Sequence, residues 1–462
     1  IGHATTYTGS VPALHGIMGN SWYDKYQKRN VYCVEDKTVH AVGSQSSAGQ
    51  MSPRNLWANS ITDELRLATN FRSKTISVAI KDRGSVLPGG HTSNGSYWFD
   101  NAIGGMITSS FYMNELPQWV QQFNNKKLPD AYLKKAWNTL YPIKTYIQST
   151  ADSNIYETRM PGEDISFPHR LDTIRVNKYE AFKTSPFGNS YTFDMARAAI
   201  EGEKLGARGI TDFLAVSFSS TDYIGHTFSP NSIETEDTYL RFDADLAAFI
   251  TYLDQQVGKN NYLLFLTADH GVAHNPYFLR DHKIPGGVFD HNAIRRQLTD
   301  TLYKRYGVNG IVAQTINYQL FLNDSIIQKS KLDRNEIKKF LVSYFIVHPS
   351  VSHVVDLADI DGTPLPGKLR MMFSNGYNQK LSGDLQFIIK PQWYERWQTG
   401  ASHVLWNPYD SKIPLLWYGW KIKPGRTGRE IYMTDIAATL ADLLKIQVPN
   451  ACIGEVITEI TD

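Results

Sequence analysis

The chain predicts an α/β fold with a largely parallel sheet flanked by helices. Three observations carry that expectation. Short apolar or β-branched runs end in glycine or polar residues, amphipathic stretches alternate with them, and residues able to do chemistry directly follow the runs. The runs are Thr75–Ile80, Phe213–Phe218, Tyr262–Thr267 and Pro414–Tyr418, each read as a buried parallel strand. Among the helices, Ser52 and Pro53 predict a capped start with Pro in the first turn, continuing to about Ala68. Ala196–Leu205 and Glu236–Val257 are amphipathic, the second stopping near Gly258. Asn335–Val347 and Met433–Leu444 complete the set.

Two regions break the alternation. Residues from about 108 to 190 are rich in Trp, Tyr, Asn and Pro, and residues from about 276 to 395 mix a helix, hairpin-like segments and Gly/Pro turns. Both read as insertions covering one core, so 1–462 is expected to form a single domain. With 42% hydrophobic and 20% charged residues among 462, a sizeable core is expected and wholesale disorder is excluded. Net charge is +2, from 47 basic and 45 acidic residues, with no basic tail, which argues against a nucleic-acid partner. The longest mostly apolar run, Phe340 to Val347, is eight residues, short of the ~18–20 that span a bilayer, so no membrane span is expected. Two distant cysteines, Cys33 and Cys452, cannot make a Cys-rich zinc site, and whether they pair is open. The chain opens Ile1-Gly2-His3-Ala4, with no Met and no signal-peptide pattern.

Ligands of open α/β sheets gather at the carboxyl ends of strands, so the residues after each run matter most. After Phe213–Phe218 come Asp222 and His226, four apart and therefore on one side of a turn. After Tyr262–Thr267 come Asp269 and His270, and His403 precedes the last run. Carboxylates with imidazoles suit a zinc-type divalent ion. Five such ligands exceed what one ion normally takes, and two neighbouring ions would use them. Each piece alone is weak: an Asp-His pair arises by chance, and a single His403 reads equally as a satisfied polar residue. The three together are far more specific.

A second group follows Thr75–Ile80, where Lys81 and Arg83 flank Asp82. Arg can clamp an anion with paired hydrogen bonds and Lys can add a point charge, although the segment also reads as a solvated charge run. Asn20 sits among glycines and aromatics, where it is either a turn residue or a donor to a ligand oxygen.

With these residues in view, the chain resembles the alkaline phosphatase superfamily, and within it the phosphate-irrepressible, PafA-type alkaline phosphatases. The resemblance rests on segments 2–24 (GHATTYTGSVPALHGIMGNSWYD), 81–91 (KDRGSVLPGGH), 219–237 (SSTDYIGHTFSPNSIETED), 267–271 (TADHG) and 400–419 (GASHVLWNPYDSKIPLLWYG), and it runs to about residue 458. It implies two zinc ions. Asp222, His226 and His403 resemble the ligands of one, while Asp269 and His270 resemble two ligands of the other. Asn20, Lys81 and Arg83 resemble the groups that hold the phosphoryl oxygens.

The resemblance also implies a Thr nucleophile that becomes phosphorylated, three residues before the Gly-His pair, and an upstream Asp that ligates the second zinc. Counting back from Gly2, that Thr falls two positions before Ile1; Thr5, Thr6 and Thr8 lie on the wrong side of the motif. The expectation is therefore that the protein extends upstream and that its first strand precedes Ile1.

The implied activity is hydrolysis of small phosphomonoesters by a monomeric, exported enzyme, periplasmic or secreted. A phosphodiesterase or nucleotide pyrophosphatase of the same superfamily is the nearest alternative, and a non-catalytic zinc- or phosphate-binding fragment is the alternative of another class. A sulfatase is disfavoured, because neither Cys33 nor Cys452 lies in a Cys-x-Pro/Ala-x-Arg setting.

Overall fold

The computed structural model describes residues 1–160, 165–395, 399–403 and 406–461. Strand Thr75–Ala79 is buried along its whole length, as a strand covered on both faces should be. It pairs in parallel with Gly95–Asp100 on one side and Phe213–Ser217 on the other. Gly105–Ser109 and Ala41–Val42 extend the sheet antiparallel, giving five strands of mixed direction. Helices Asp82–Gly89 and Phe187–Glu203 pack against it. Phe193 and Ala196 of the second join Ile76 and Val78 in the main core, while Val86 and Leu87 of the first belong to a separate cluster with Trp98 and Ile107.

Strand Leu263–Thr267 lies outside this sheet and pairs with Leu415–Gly419. That last strand was expected to be parallel; it is antiparallel, with Leu415 opposite Thr267. The chain reaches it after the long excursion through 276–395 and not by a short helical crossover, so nothing forces a parallel return. Its burial also alternates, with Leu416 and Tyr418 exposed. Among the described residues, neither Phe213–Ser217 nor Leu263–Thr267 pairs with a strand on its remaining edge. Both line a cavity of about 1440 Å³ whose polar end holds Asp222, His226, Asp269 and His270.

Helix Ile61–Ala68 starts later than the sequence suggests. Ser52 caps only the single turn Pro53–Asn55, and the chain is extended at Leu56. The helix is opened instead by a capping box between Ser60 and Asp63. Helix Phe187–Glu203 starts nine residues earlier than expected, directly after Pro186. The remaining predicted helices, Ile233–Leu253, Arg334–Ile346 and Thr434–Leu444, agree with expectation to within a few residues.

Within 110–190, Trp137 is fully buried and its indole donates to Asp237 of helix Ile233–Leu253 at 2.7 Å. Residues 276–395 build a four-stranded antiparallel sheet with its own core, where Phe345 stacks on Phe387. Among the described residues, no helix is long and apolar enough to cross a membrane.

Candidate active site

The central strand and the next strand over deliver their residues to one place. The Lys81 amide donates to Ser219 Oγ at 3.1 Å, tying the end of Thr75–Ala79 to the turn before helix Ser220–Phe228. Asp222 lies in the first turn of that helix and His226 in its last. Their spacing places His226 Nε2 3.3 Å from Asp222 Oδ1. His226 Nδ1 donates to the Ala401 carbonyl at 2.8 Å, which fixes the ring with Nε2 turned toward Asp222. The Ala401 amide donates back to the His226 carbonyl at 3.0 Å. This reciprocal pair seats residues 399–403 against the helix and sets His403 beside His226, ring centroids 5.4 Å apart. Asp222, His226 and His403 each present a ligand atom, all within 4.8 Å of one another.

Asp269 and His270 follow strand Leu263–Thr267. His270 Nδ1 donates to the Gly271 carbonyl at 2.8 Å, so Nε2 is the available nitrogen. It lies 3.6 Å from Asp269 Oδ1 and 3.5 Å from Asp222 Oδ1. Its ring stacks on His403, centroids 3.7 Å apart. The structure thus brings together all five residues that the sequence nominated as ligands. Gly271 is required by close approach: a Cβ there would stand 2.1 Å from the Tyr409 carbonyl oxygen.

The electrostatics suit a cation. Burial alone would raise the Asp222 carboxyl, but hydrogen bonding to His226 and the Lys81 charge outweigh it and hold Asp222 ionised far below the usual range. Asp269 is likewise held well below normal, burial being outweighed by His3. His403 is lowered to about 3, first by burial and then by the two neighbouring imidazoles, so it stays neutral. Its Nδ1 is buried and has no hydrogen-bond partner among the described residues. Ionised carboxylates, a neutral His403 and its buried nitrogen, unsatisfied among the described residues, in one cluster with two more imidazoles fit a zinc-type ion.

The other group is placed differently. Lys81 forms an ion pair with Asp222 and lies 4.5 Å from the centre of the Tyr223 ring. The sequence grouped Lys81 with Arg83 and Asn20; the structure joins it to the carboxylate cluster as well. Arg83 Nη1 donates to Tyr32 Oη at 3.3 Å, and Tyr32 Oη donates to Asp82 Oδ1 at 2.6 Å. Asn20 is exposed, just before strand Ser21–Asp24, which pairs with Arg29–Tyr32. Its carbonyl accepts from the Cys33 amide at 2.9 Å, so Asn20 and Tyr32 share one hairpin end. Cys33 and Cys452 are both free thiols.

Two residues beside the site carried no sequence signal of their own. Tyr32 orients Arg83 from a distant hairpin. His3 bridges Ser217 Oγ at 2.9 Å and Asp269 Oδ2 at 3.3 Å. Only the fold shows either contact.

Comparison with known proteins shows the family. The family model described as type I phosphodiesterase / nucleotide pyrophosphatase matches residues 1–401. Alkaline phosphatase PhoV of Synechococcus elongatus is 50% identical over 460 residues, covering 99% of this chain and 83% of the relative. A protein of Myroides odoratus named calcium-transporting ATPase is 49% identical over 465 residues, covering 99% and 85%. The crystal structure of wild-type alkaline phosphatase PafA matches with a TM-score of 0.96 at 44% identity, covering all of this chain and 89% of that one. The chain belongs to the type I phosphodiesterase / nucleotide pyrophosphatase family.

Proposed function

We propose that this protein is an alkaline phosphatase, a metal-dependent phosphate monoesterase working through a phosphothreonine intermediate. The observation that carries the reading is one cluster in which Asp222, His226 and His403 converge while Lys81 contacts Asp222 directly. Asp222, His226 and His403 would hold one zinc, with Asp269 and His270 contributing to a second. Bound there, the ions supply Lewis-acid neutralisation of charge on the reacting oxygens. The nucleophilic Thr of this reading lies outside residues 1–462.

The chain's own residues bind and orient the phosphoryl group. A lysine ammonium has three donors; one of them on Asp222 leaves others for a phosphoryl oxygen. Arg83 is held by Tyr32 and offers its remaining N–H groups in a planar fork. Asn20 adds a neutral donor from the hairpin. Donors fixed in advance stabilise the charge that develops in the transition state, each commonly by a few kcal/mol. A monoester phosphate carries two negative charges and a diester one, so a site with two cations favours the monoester. The name ATPase on one relative denotes the same underlying chemistry, transfer of a phosphoryl group to water.

In the same reading, residues 1–462 are one catalytic domain acting as an exported monomer on small phosphomonoesters and not on nucleic acid. Support for export is the resemblance to exported phosphatases.

The test is hydrolysis of p-nitrophenyl phosphate and bis-p-nitrophenyl phosphate side by side at alkaline pH. Both are measured before chelation, after it, and with zinc restored. The expected result is fast monoester turnover that chelation abolishes and zinc restores, with slow diester turnover. Diester preference would make the protein a phosphodiesterase instead. No turnover of either with zinc bound would make it a binding protein.

A further inference from the structure

Among the described residues, the loop bearing His403 is fastened by hydrogen bonds both to His226 and to residues outside the motifs. The Gly400 amide donates to the Tyr156 carbonyl at 2.7 Å. The Thr158 amide donates to the Thr227 carbonyl at 2.8 Å, one residue beyond His226. Thr158 Oγ1 donates to Thr399 Oγ1 at 2.9 Å. Residues 156–158 therefore grip both the helix that carries His226 and the loop that carries His403. Gly400 has φ +73°, a left-handed conformation that a side chain would strain.

One buried side chain completes the grip. Asn275 is fully buried, and its Nδ2 donates to the Gly400 carbonyl at 2.7 Å, with a longer contact to the Tyr156 carbonyl at 3.5 Å. Its Oδ1 accepts from the amides of Tyr277 and Phe278 and so caps helix Pro276–Asp281. Asn275 also lies five residues beyond His270. Between them, the Ala273 amide donates to the Ser402 carbonyl at 3.1 Å. The side chain thus stands where the His270 segment, the His403 loop and residues 156–158 meet.

We infer that Asn275 is a positioning residue for the metal cluster, fixing His403 relative to His226 and His270 through Gly400, with Thr158 as its companion on the other side of the loop. The inference rests on the metal-binding reading given above. The physical argument is preorganisation. His403 lies on a loop, and among the described residues no hydrogen bond restrains its buried Nδ1. Its orientation is then set by the backbone that carries it, and Asn275 is the buried side chain donating to that backbone. Residues that orient metal ligands typically contribute about 10- to 100-fold to metal affinity.

The two ends of Asn275 do separable jobs, which makes the inference testable. Asn275→Ser keeps a capping oxygen for helix Pro276–Asp281 but is too short to reach Gly400. The measurement is zinc affinity by competition with a chromogenic chelator, on wild type, Asn275→Ser and Thr158→Val. Melting temperatures of the metal-free proteins are taken alongside. The expected result is that wild type binds zinc and that Asn275→Ser weakens one zinc site about 10- to 100-fold with little change in metal-free melting temperature. Thr158→Val should move the same site less. If Asn275→Ser does not fold, Thr158→Val carries the same readout. Zinc affinity within twofold of wild type in the folded variants would overturn the inference, as would a loss matched by an equal collapse of the metal-free protein. Failure of the wild type to bind zinc would instead overturn the metal-binding reading itself.

Discussion

The cation cluster and the anion clamp lie side by side but are built by different means. Asp222 and His226 come from a helix, Asp269 and His270 follow a strand, His403 lies on a loop, and hydrogen bonds to the backbone lock their supports together, as between Ala401 and His226. Lys81 and Arg83 are held by side-chain contacts, Lys81 by Asp222 and Arg83 by Tyr32, while Asn20 is held through its backbone at the end of a two-stranded hairpin. The lesson is one of tolerance. A ligand set needs fixed geometry within fractions of an ångström, and rigid elements supply it. A clamp for a phosphoryl group needs charge and donors, and longer side chains provide those while adapting to the substrate.

That contrast orders the consequences of mutation. His226→Ala or His403→Ala removes a ligand and should lower monoester turnover by more than the roughly 10²–10³ that one stabilising donor is worth. Zinc content measured by elemental analysis should fall with it. Arg83→Ala leaves the ligands untouched and should lower monoester kcat/KM by about 10²-fold while preserving zinc content. Because the substrate difference is one charge, its diester activity should fall less, so the monoester-to-diester ratio is the readout. An unchanged ratio would mean that Arg83 does not read the second charge. Tyr32→Phe deletes the hydroxyl that orients Arg83 and should cost about 1 kcal/mol, or roughly fivefold in monoester kcat/KM. In an Arg83→Ala background the same change should do nothing further; independent losses would show that Tyr32 acts elsewhere.

The smallest effect tests the support under the cation cluster. Glu157 lies in the 156–158 segment, and its carboxyl is pushed above the ordinary range by burial and then by Glu234 and Asp152. Glu234 is itself paired with His169 at 2.9 Å, both fully buried. An acid whose folded-state pKa is raised binds its proton more tightly folded than unfolded. Stability is then full below the unfolded pKa near ~4.5 and falls as pH rises above it. Glu157→Gln mimics the protonated acid and removes this loss. Its melting temperature should match wild type near pH 4 and exceed it by pH 9, a gain of at least about 1 kcal/mol. A difference that does not grow with pH would show that Glu157 is ionised in the fold.

Much of this was legible in the sequence because strand-end chemistry is local. The four apolar runs appear as strands, and the Asp222/His226 pair falls on a helix directly after one of them. The direction of Leu415–Gly419 was not legible, since a run of apolar residues does not encode which way its neighbour runs. The start of helix Ile61–Ala68 was misplaced because Ser52-Pro53 and Ser60 both offer caps, and only the second is followed by Asp63 at the position that closes the box. The Lys81–Asp222 pair spans 141 residues, and Tyr32–Arg83 spans 51; contacts at such separation leave no periodic trace.

The most direct test of the account is zinc-edge anomalous diffraction from crystals grown with zinc and inorganic phosphate. The account predicts one anomalous peak within coordination distance of Asp222, His226 and His403, a second beside Asp269 and His270, and a phosphate contacted by Lys81 and Arg83. A refined structure with no zinc among Asp222, His226 and His403, or with phosphate bound away from Lys81 and Arg83, would contradict it.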